Sequence, residues 1–376
     1  MEYYQKIVPQ SLRIKIRNIQ YHFDDLIFHS RLILHRLKTP PPPTSTSKPP
    51  SICYIIPTTN ITGGIVVVCE HANRLKKLGH RTLIATLDNG NNLNWFPHQS
   101  VEVVSFQKNK NLVESFDIVV ATGWSTAYEL LLLNAKRKVY FVQSDETRFY
   151  PPKSFLRNRV NRTYSFPFEF ITEAKWIKTW LKKNFQQTAT HIPNGINLDI
   201  FHPTKPLEAK PKNKKRILLE GAINLAFKGM AEAFEAVKDI DCEIWCVSYD
   251  GKPKPEWRCD RFFEKVPLQK MPKIYSSCDI LLKLSKVEGF FGPPLEMMAC
   301  GGVPIVSRVT GYNEYIKNNY NALVTNTDNP QLTKKLINHL ITNPTLYRHL
   351  QIGGQKTAKL FNWDISVTKL STFYGR

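Results

Sequence analysis

The sequence has few acidic residues, no long apolar run and an odd number of cysteines. Its 376 residues include 31 Asp and Glu against 52 Lys and Arg, which gives a formal net charge of +21. No apolar stretch approaches the ~20 residues that a membrane-spanning helix needs, so we expect no integral membrane protein of the helical type. Residues 1–38 are interrupted by charges throughout, which argues against a signal peptide there. The basic excess predicts an anionic partner, whether nucleic acid, phospholipid headgroups or a phosphorylated small molecule.

The cysteines and acidic pairs give little support to a metal site. The seven cysteines lie mostly within apolar runs, which is typical of reduced, buried thiols in a cytosolic protein. Cys242 and Cys246 are four residues apart in one predicted strand, and no His or second Cys pair follows at zinc-finger spacing. Asp239 and Asp241 spell D-x-D, but they precede that strand and so lie at the wrong edge of the sheet for a nucleotide-bound metal. We therefore expect no metal.

Length and hydrophobic pattern predict two α/β domains. Because one domain usually takes roughly 100–200 residues, a chain of 376 residues predicts two. From Ser51 short apolar strands alternate with amphipathic helices, and the alternation restarts near residue 216. That order is typical of doubly wound parallel sheets covered by helices on both faces. Ahead of them, residues 1–50 combine a basic amphipathic helix with a proline-rich linker.

The segment from Glu288 to Glu296 is the strongest candidate for a ligand site. Glu288 follows a predicted strand, whereas Glu296 lies in a helix that begins at two prolines. The loop between them, with Gly289 and Gly292, offers backbone N–H groups at a helix N-terminus, which favours a phosphate. Glu296 is placed to accept hydrogen bonds from a ribose diol. Glu288 is placed to accept hydrogen bonds from the hydroxyls of the group that follows the phosphates. The alternative interpretation is a pair of solvated glutamates around a loop.

Three further segments are weaker on their own. Lys228 follows a strand-to-helix connection and would reach a phosphate as a point charge, or else is a surface lysine. Gly63 and Gly64 follow the first strand, where they permit close approach of a ligand or simply form a tight turn. Residues 191–203 contain an Asn-Gly turn flanked by prolines, which predicts a hinge between the two domains.

Residues 172–185 form a predicted helix that is rich in both tryptophan and lysine. Trp176 and Trp180 are four residues apart, and several lysines flank them. Such a helix can lie in the interface of an anionic membrane. The competing interpretation is a domain helix that packs through its tryptophans and exposes a lysine face to solvent.

Together these motifs resemble glycosyltransferase family 4, retaining enzymes of the GT-B fold. The resemblance covers most of residues 51–376. Its most specific part is the pair Glu288 and Glu296, followed by ACGGVPIVSRVTGYNEYI, in which Gly311 and Glu314 match a family Gly-x-x-E. Gly63-Gly64, Lys228-Gly229 and the PNGINLDIF hinge support it. The segment VYFVQSDETRFYPP is similar to bacterial surface-polysaccharide transferases, some of them rhamnosyltransferases.

The resemblance implies an architecture and a set of roles. Two Rossmann-like domains would face each other across a cleft, residues 51–195 taking the acceptor and 196–355 the nucleotide diphospho-sugar, while a last helix in 356–376 crosses back to the first domain. Glu296 would bind the ribose, Lys228 the diphosphate, and Glu288, the candidate catalytic residue, the hydroxyls of the donor sugar. The remaining candidates would contact the donor mainly through backbone groups: Gly63, Gly64, Gly289, Phe290, Phe291 and Gly292.

The implied reaction is attack of an acceptor hydroxyl on the anomeric carbon, with a nucleoside diphosphate leaving and with no metal or other cofactor. The sequence departs from the family pattern in three places. Gly221 is followed by Ala222 where the family has an Arg nearby, Glu-Gly-Phe-Phe-Gly replaces Glu-Gly-Phe-Gly, and DIVVATGW has no His where many members place one. We therefore assign no catalytic base, and the source of a second cation for the diphosphate stays open.

The predicted function is sugar transfer to a saccharide or lipid-linked acceptor during surface polysaccharide synthesis. The protein would be cytoplasmic, with peripheral attachment to the inner face of the plasma membrane as an open option. A catalytically inactive protein that binds nucleotide-sugar or glycan is the alternative, because a cation is lost and a glycine shifted. A nucleic-acid-binding protein is disfavoured, since the basic residues are scattered and no recognised reader motif is present.

Overall fold

The computed structural model describes residues 49–88 and 90–376, together with residues 26, 27 and 30. The predicted basic helix and proline-rich linker of residues 1–50 therefore lie almost entirely outside the described residues. In the described ranges, no helix combines the length and the apolar character needed to cross a membrane.

The first domain is built on a parallel sheet of seven strands in the order β3-β2-β1-β4-β5-β6-β7. The central strands are fully buried, which matches their continuous apolar sequences and a sheet covered on both faces. Its strands are β1 Ile52–Ile56, β2 Thr82–Thr86, β3 Glu102–Ser105, β4 Ile118–Ala121, β5 Arg137–Val142, β6 Glu169–Thr172 and β7 Ala189–His191. Its helices are α1 Gly63–Lys77, α2 Lys110–Glu114, α3 Trp124–Leu131, α4 Phe155–Thr163 and α5 Lys175–Phe185.

The second domain repeats this plan with six parallel strands in the order β10-β9-β8-β11-β12-β13. Its strands are β8 Lys215–Glu220, β9 Cys242–Ser248, β10 Arg261–Glu264, β11 Ile280–Lys283, β12 Val303–Ser307 and β13 Leu323–Thr325. Its helices are α6 Met230–Val237, α7 Met271–Ser277, α8 Gly292–Ala299, α9 Pro330–Thr342 and α10 Pro344–Ala358. Short 3-10 helices lie at Glu146–Phe149, Ala226–Lys228, Leu268–Lys270 and Tyr312–Glu314.

The predicted fold class, two doubly wound parallel-sheet α/β units, is confirmed by these two sheets. The sequence pattern identified the buried central strands but missed β3, β6, β7, β10 and β13. These strands are only three or four residues long. A strand that short carries too few alternating or apolar positions to stand out from a loop.

The last helix, α11 Trp363–Tyr374, packs on the first domain although it follows the second in sequence. Its buried side chains Trp363 and Leu370 lie in the same hydrophobic cluster as the central strand β1. The hydroxyls of Tyr374 and Tyr54 are 3.1 Å apart, and Arg137 donates to the Tyr374 carbonyl at 2.7 Å. The chain thus crosses between the domains twice, and α11 contributes to the core beneath α1.

Because Leu370 is fully buried in this cluster, replacing it should weaken the first domain. We expect Leu370→Ala to lower the free energy of unfolding by about 2–5 kcal/mol, the usual cost of deleting a buried leucine side chain. Urea unfolding followed by circular dichroism measures it. Lys369→Ala, on the exposed face of the same helix, is the control. Equal midpoints for the two variants would contradict the packing described.

Candidate functional site

The candidate site lies where the two sheets point their carboxyl ends at each other. Side chains that follow β5 and β6 in the first domain contact loops that follow β8, β11 and β12 in the second. Arg148 donates to the Lys286 carbonyl at 2.9 Å and to the Thr310 hydroxyl at 3.0 Å. Phe149 stacks on Phe227 with ring centroids 5.1 Å apart. The described structure therefore has its two domains in contact along one rim of the cleft.

Lys228 and Glu288 are brought together by the loops after β8 and β11. The Lys228 Nζ lies 2.9 Å from both carboxylate oxygens of Glu288. Burial of the Glu288 carboxyl disfavours its charge, but Lys228 and Lys283 nearby outweigh that effect and hold its pKa below the usual value. Gly229, at φ 65°, lets the loop pass closely, since a Cβ there would be 2.0 Å from the Leu284 carbonyl oxygen. The site thus contains an ionised carboxylate that holds a lysine at the cleft.

Glu296, the second predicted carboxylate, lies one turn inside α8 and shares a partner with another acid. The Tyr275 hydroxyl is 2.9 Å from a Glu296 oxygen and 3.0 Å from a Glu220 oxygen. Burial, reinforced by the negative charge of Glu220, raises the pKa of Glu296 to about 8, although Tyr275 and Lys283 act in the opposite direction. The two half-buried carboxyl groups and the buried phenol therefore form an acidic cluster beside the helix N-terminus.

Lys283 is a residue of this pocket that the sequence analysis missed. It ends β11, and only 3% of its side chain is exposed. Its Nζ donates to the Glu220 carbonyl at 3.0 Å and lies 3.9 Å from a Glu220 carboxylate oxygen. A lysine inside the apolar run DILLKLS was the available signal, because lysine is seldom fully buried without an acidic partner.

The loop that follows Glu288 is held against the first domain. A Cβ on Gly289 would lie 1.7 Å from the Gln143 carbonyl oxygen, so only glycine fits there. The Phe290 N–H donates to the Glu173 carboxylate at 2.9 Å, and the Phe291 carbonyl accepts from the Tyr315 hydroxyl. Helix α8 then begins at Gly292. The Phe290 N–H predicted for the donor is therefore occupied by Glu173 here.

The predicted glycine pair begins α1 on the opposite side of the cleft. Thr62 caps this helix, and its hydroxyl accepts from the Ile65 N–H at 3.4 Å. A Cβ on Gly64 would lie 3.1 Å from the amide oxygen of Gln143, whereas one on Gly63 would meet no atom of the described residues within 4 Å. Close packing thus favours glycine at Gly64, while Gly63 has no such constraint from protein atoms.

Helix α5 combines features of a packed domain helix and of a basic helix that can lie on a membrane. Trp180 packs against Tyr164 and Phe185 of its own domain, and Trp176 lies at the contact between the domains. Neither tryptophan lies on the exposed lysine face, which supports the interpretation of a packed domain helix. The exposed lysines of this helix are Lys175, Lys178, Lys182 and Lys183.

The D-x-D motif and the cysteine pair, the weaker candidates for a metal site, form no ligand site among the described residues. Asp239 is at the surface and pairs with Lys334 at 3.0 Å. The thiols of Cys242 and Cys246 are buried and reduced, as their apolar sequence context predicts. Among the described residues, no group of three or more His, Cys, Asp or Glu side chains is arranged to hold a metal ion.

Comparison with known proteins finds a family match for part of the chain. Residues 260–357 match the family described as glycosyl transferases group 1. An uncharacterised glycosyltransferase of Methanocaldococcus jannaschii is 28% identical over 236 residues, which are 58% of this chain and 64% of that protein. The N,N'-diacetylbacillosaminyl-diphospho-undecaprenol alpha-1,3-N-acetylgalactosaminyltransferase of Campylobacter jejuni is 24% identical over 286 residues, or 70% of this chain and 74% of that enzyme. The match thus spans slightly less than two thirds of the archaeal relative.

Solved structures agree on the fold. HepE of Anabaena in complex with UDP-glucose is similar with a TM-score of 0.73 and 14% identity, covering 87% of this chain and 100% of that one. The chain therefore has the GT-B fold, and its second domain contains the segment that matches glycosyl transferases group 1. The matched residues 260–357 include Glu288, the loop after it and Glu296, and so contain the most specific part of the predicted site.

The raised pKa of Glu296 makes a prediction about stability. A carboxyl whose pKa is higher in the folded than in the unfolded protein stabilises the fold most at low pH, and this contribution is lost as pH rises from about 4.5 to about 8. We expect the unfolding free energy to fall by up to about 1.4 kcal/mol per pH unit through this group. Urea titrations at several pH values within that window should show a smaller slope in Glu296→Gln. Glu256→Gln, which changes an exposed carboxyl, should keep the wild-type slope. A slope unchanged in Glu296→Gln would contradict the assignment.

Proposed function

We propose that the protein is a retaining glycosyltransferase that moves a sugar from a nucleotide diphospho-sugar to a hydroxyl of a saccharide or lipid-linked acceptor in surface polysaccharide synthesis. The observation that carries the proposal is the convergence of Lys228, Glu288 and Glu296 around the N-terminus of α8, at the carboxyl ends of the second sheet. Open α/β sheets bind their ligands at this edge, and a helix N-terminus favours phosphate.

The related proteins support this proposal in their chemistry. The HepE structure contains UDP-glucose. The Campylobacter relative is named as a transferase whose acceptor is linked through a diphosphate to undecaprenol. We extend a nucleotide-sugar donor and a saccharide or lipid-linked acceptor to this chain on those grounds. The assignment to family 4, with its retaining outcome, and the similarity to rhamnosyltransferases come from the sequence motifs.

Each residue of the site has a role in the proposed reaction. Glu296 accepts from the ribose hydroxyls, and Lys228 neutralises the diphosphate. Glu288 then accepts from hydroxyls of the donor sugar, because binding of the diphosphate draws the Lys228 ammonium away from it. Positive charge at the leaving diphosphate comes from Lys228 and from the positive end of the α8 dipole, because Pro293 and Pro294 have no N–H to donate there. We propose that no metal or other cofactor is required.

Binding of nucleoside diphosphates tests the proposal most directly. Calorimetry with UDP, dTDP, GDP and ADP should find at least one that binds. Lys228→Ala should weaken it roughly 10- to 100-fold, the value of a lost hydrogen bond to a charged group. Glu296→Ala should weaken it roughly 2- to 10-fold, because its carboxyl is mainly neutral at pH 7. EDTA should leave both the affinity and the hydrolysis of the matching nucleotide-sugar unchanged.

The control for these variants is Glu256→Ala, which removes an exposed carboxylate of the same domain. Binding of a diphosphate without any hydrolysis or transfer of the matching nucleotide-sugar would favour the inactive binding protein instead. If none of the four diphosphates binds, the proposed donor site is wrong.

The basic face of α5 supports a second part of the proposal, attachment to an anionic membrane. Its four exposed lysines are unscreened by acidic neighbours on the same helix, whose eleven residues Lys175–Phe185 contain no Asp or Glu. We propose a cytoplasmic protein that binds the inner face of the plasma membrane through this surface, where a lipid-linked acceptor would be presented. Nucleic acid is not a proposed partner.

Charge reversal on α5 should therefore reduce vesicle binding. The double variant Lys178→Glu, Lys182→Glu changes the surface charge by −4, and each basic residue near an acidic membrane is worth about 1 kcal/mol. Co-sedimentation with phosphatidylserine-containing vesicles should fall more than 10-fold in this variant and fall steeply with salt. The control is the double variant Lys359→Glu, Lys369→Glu, which carries the same charge change at exposed positions outside α5. Binding that is independent of salt, or equal in the two double variants, would refute attachment through α5.

A further inference from the structure

One peptide unit of the second domain is held at both of its polar atoms by the first domain. The unit joins Gly289 to Phe290. Its carbonyl oxygen accepts from the Trp176 indole N–H at 3.0 Å, and its N–H donates to the Glu173 carboxylate at 2.9 Å. Glu173 follows β6 directly, and Trp176 is the second residue of α5. Two side chains of adjacent elements therefore fix the plane of this peptide.

The other carboxylate oxygen of Glu173 is held by the hinge between the domains. Asn194 donates to it at 2.7 Å, and both side chains are buried. The next residue, Gly195, lies so close to the start of α11 that a Cβ would be 2.3 Å from the Trp363 nitrogen. Glu173 thus links the domain hinge on one oxygen to the loop of the candidate site on the other.

Trp176 contacts the second domain at two more points. Its backbone N–H donates to the Glu314 carboxylate at 2.9 Å, so Glu314 caps the N-terminus of α5 from the opposite domain. A Cβ on Gly311 would lie 2.0 Å from the Trp176 ring, which means that the indole fills the space left by this glycine. Both Gly289 and Gly311 are therefore small because first-domain groups occupy the positions of their missing side chains.

We propose that Glu173 and Trp176 form a clasp on the Gly289–Phe290 peptide, and that they are positioning residues which hold the Glu288 loop in its reactive orientation only when the domains are closed. The clasp contacts the peptide next to Glu288, while Glu296 and Lys228 belong wholly to the second domain. Nucleotide binding therefore does not need the clasp, whereas the sugar and its acceptor, which meet between the domains, do. The part of this inference that concerns turnover rests on the proposed function.

Amide hydrogen exchange of the ligand-free protein tests the clasp without any substrate. The Phe290 N–H has Glu173 as its acceptor, so Glu173→Ala should accelerate its exchange at least roughly 10-fold. Glu173→Gln should retain protection. The buried amide oxygen of Asn194 has no hydrogen-bond partner among the described residues, and it can accept from the new amide after a flip. Trp176→Phe, which loses the indole N–H, should accelerate exchange less than Glu173→Ala. Glu169→Gln and Trp180→Phe are the matched controls on β6 and α5.

A split between affinity and turnover tests the positioning role. In Glu173→Ala and Trp176→Phe, the Kd of whichever of UDP, dTDP, GDP and ADP binds should stay within about 2-fold of wild type. The kcat with the matching nucleotide-sugar should fall roughly 10-fold. Gly289→Ala, whose Cβ cannot coexist with the Gln143 carbonyl, should show the same split with both clasp side chains present.

Two results would overturn the clasp. One is Phe290 exchange that is unchanged in both Glu173→Ala and Trp176→Phe, and the other is a loss of affinity as large as the loss of kcat. If Glu173→Ala does not fold, Trp176→Phe and Gly289→Ala decide. Failure of all four diphosphates to bind removes the proposed donor site, but the exchange of the Phe290 amide still tests the clasp.

Discussion

The close approach of the two domains at Gly289 is the constraint on which the rest of the site depends. A side chain there would collide with the backbone of Gln143, so the loop after Glu288 meets the first domain as bare main chain. Main chain brings one donor and one acceptor per residue, and buried ones need partners. Glu173 and Trp176 supply those partners from the other domain. The steric requirement at one glycine thus determines which polar groups the facing domain must present.

Neighbouring groups likewise determine the charge of the carboxyl groups in the second domain. Glu288 keeps its charge because Lys228 binds both of its oxygens. Glu296 has a phenol and another acid beside it, and the opposing charge of Lys283 is outweighed, so burial raises its pKa to about 8 and favours the protonated form at neutral pH. Two glutamates eight residues apart therefore differ in charge through their neighbours alone. This difference suits one for an ion pair that a ligand can exchange, and the other for hydrogen bonding with neutral hydroxyls.

Much of the fold and part of the site were predictable from the sequence. The buried central strands, the Gly-rich loop at α8 and the pair Glu288 and Glu296 each lie within a single short segment, and local pattern is enough to find them. Glu173 and Trp176 were not found, because their contacts with residues 289 and 290 join segments more than 100 residues apart. Lys283 was missed because its partner Glu220 lies 63 residues away, in another strand. Trp176 was considered only with its helical neighbours, where it is indistinguishable from a core residue. Such partnerships are set by how the two sheets face each other.

The geometry of the cleft shows where the excess of basic residues behind the net charge of +21 does not lie. The cleft itself is rich in acid: its buried or half-buried carboxyl groups are Glu173, Glu220, Glu288, Glu296 and Glu314. Its lysines, Lys228 and Lys283, are both engaged with carboxylates. An anionic ligand can enter only if the negative charge of these carboxyl groups is reduced. The raised pKa values of Glu296 and Glu173 reduce it in part. Burial and the charge of Glu220 raise the pKa of Glu296, and chiefly burial raises that of Glu173. The basic excess therefore lies outside the site, on surfaces such as α5, which is the surface that the proposed membrane attachment would use.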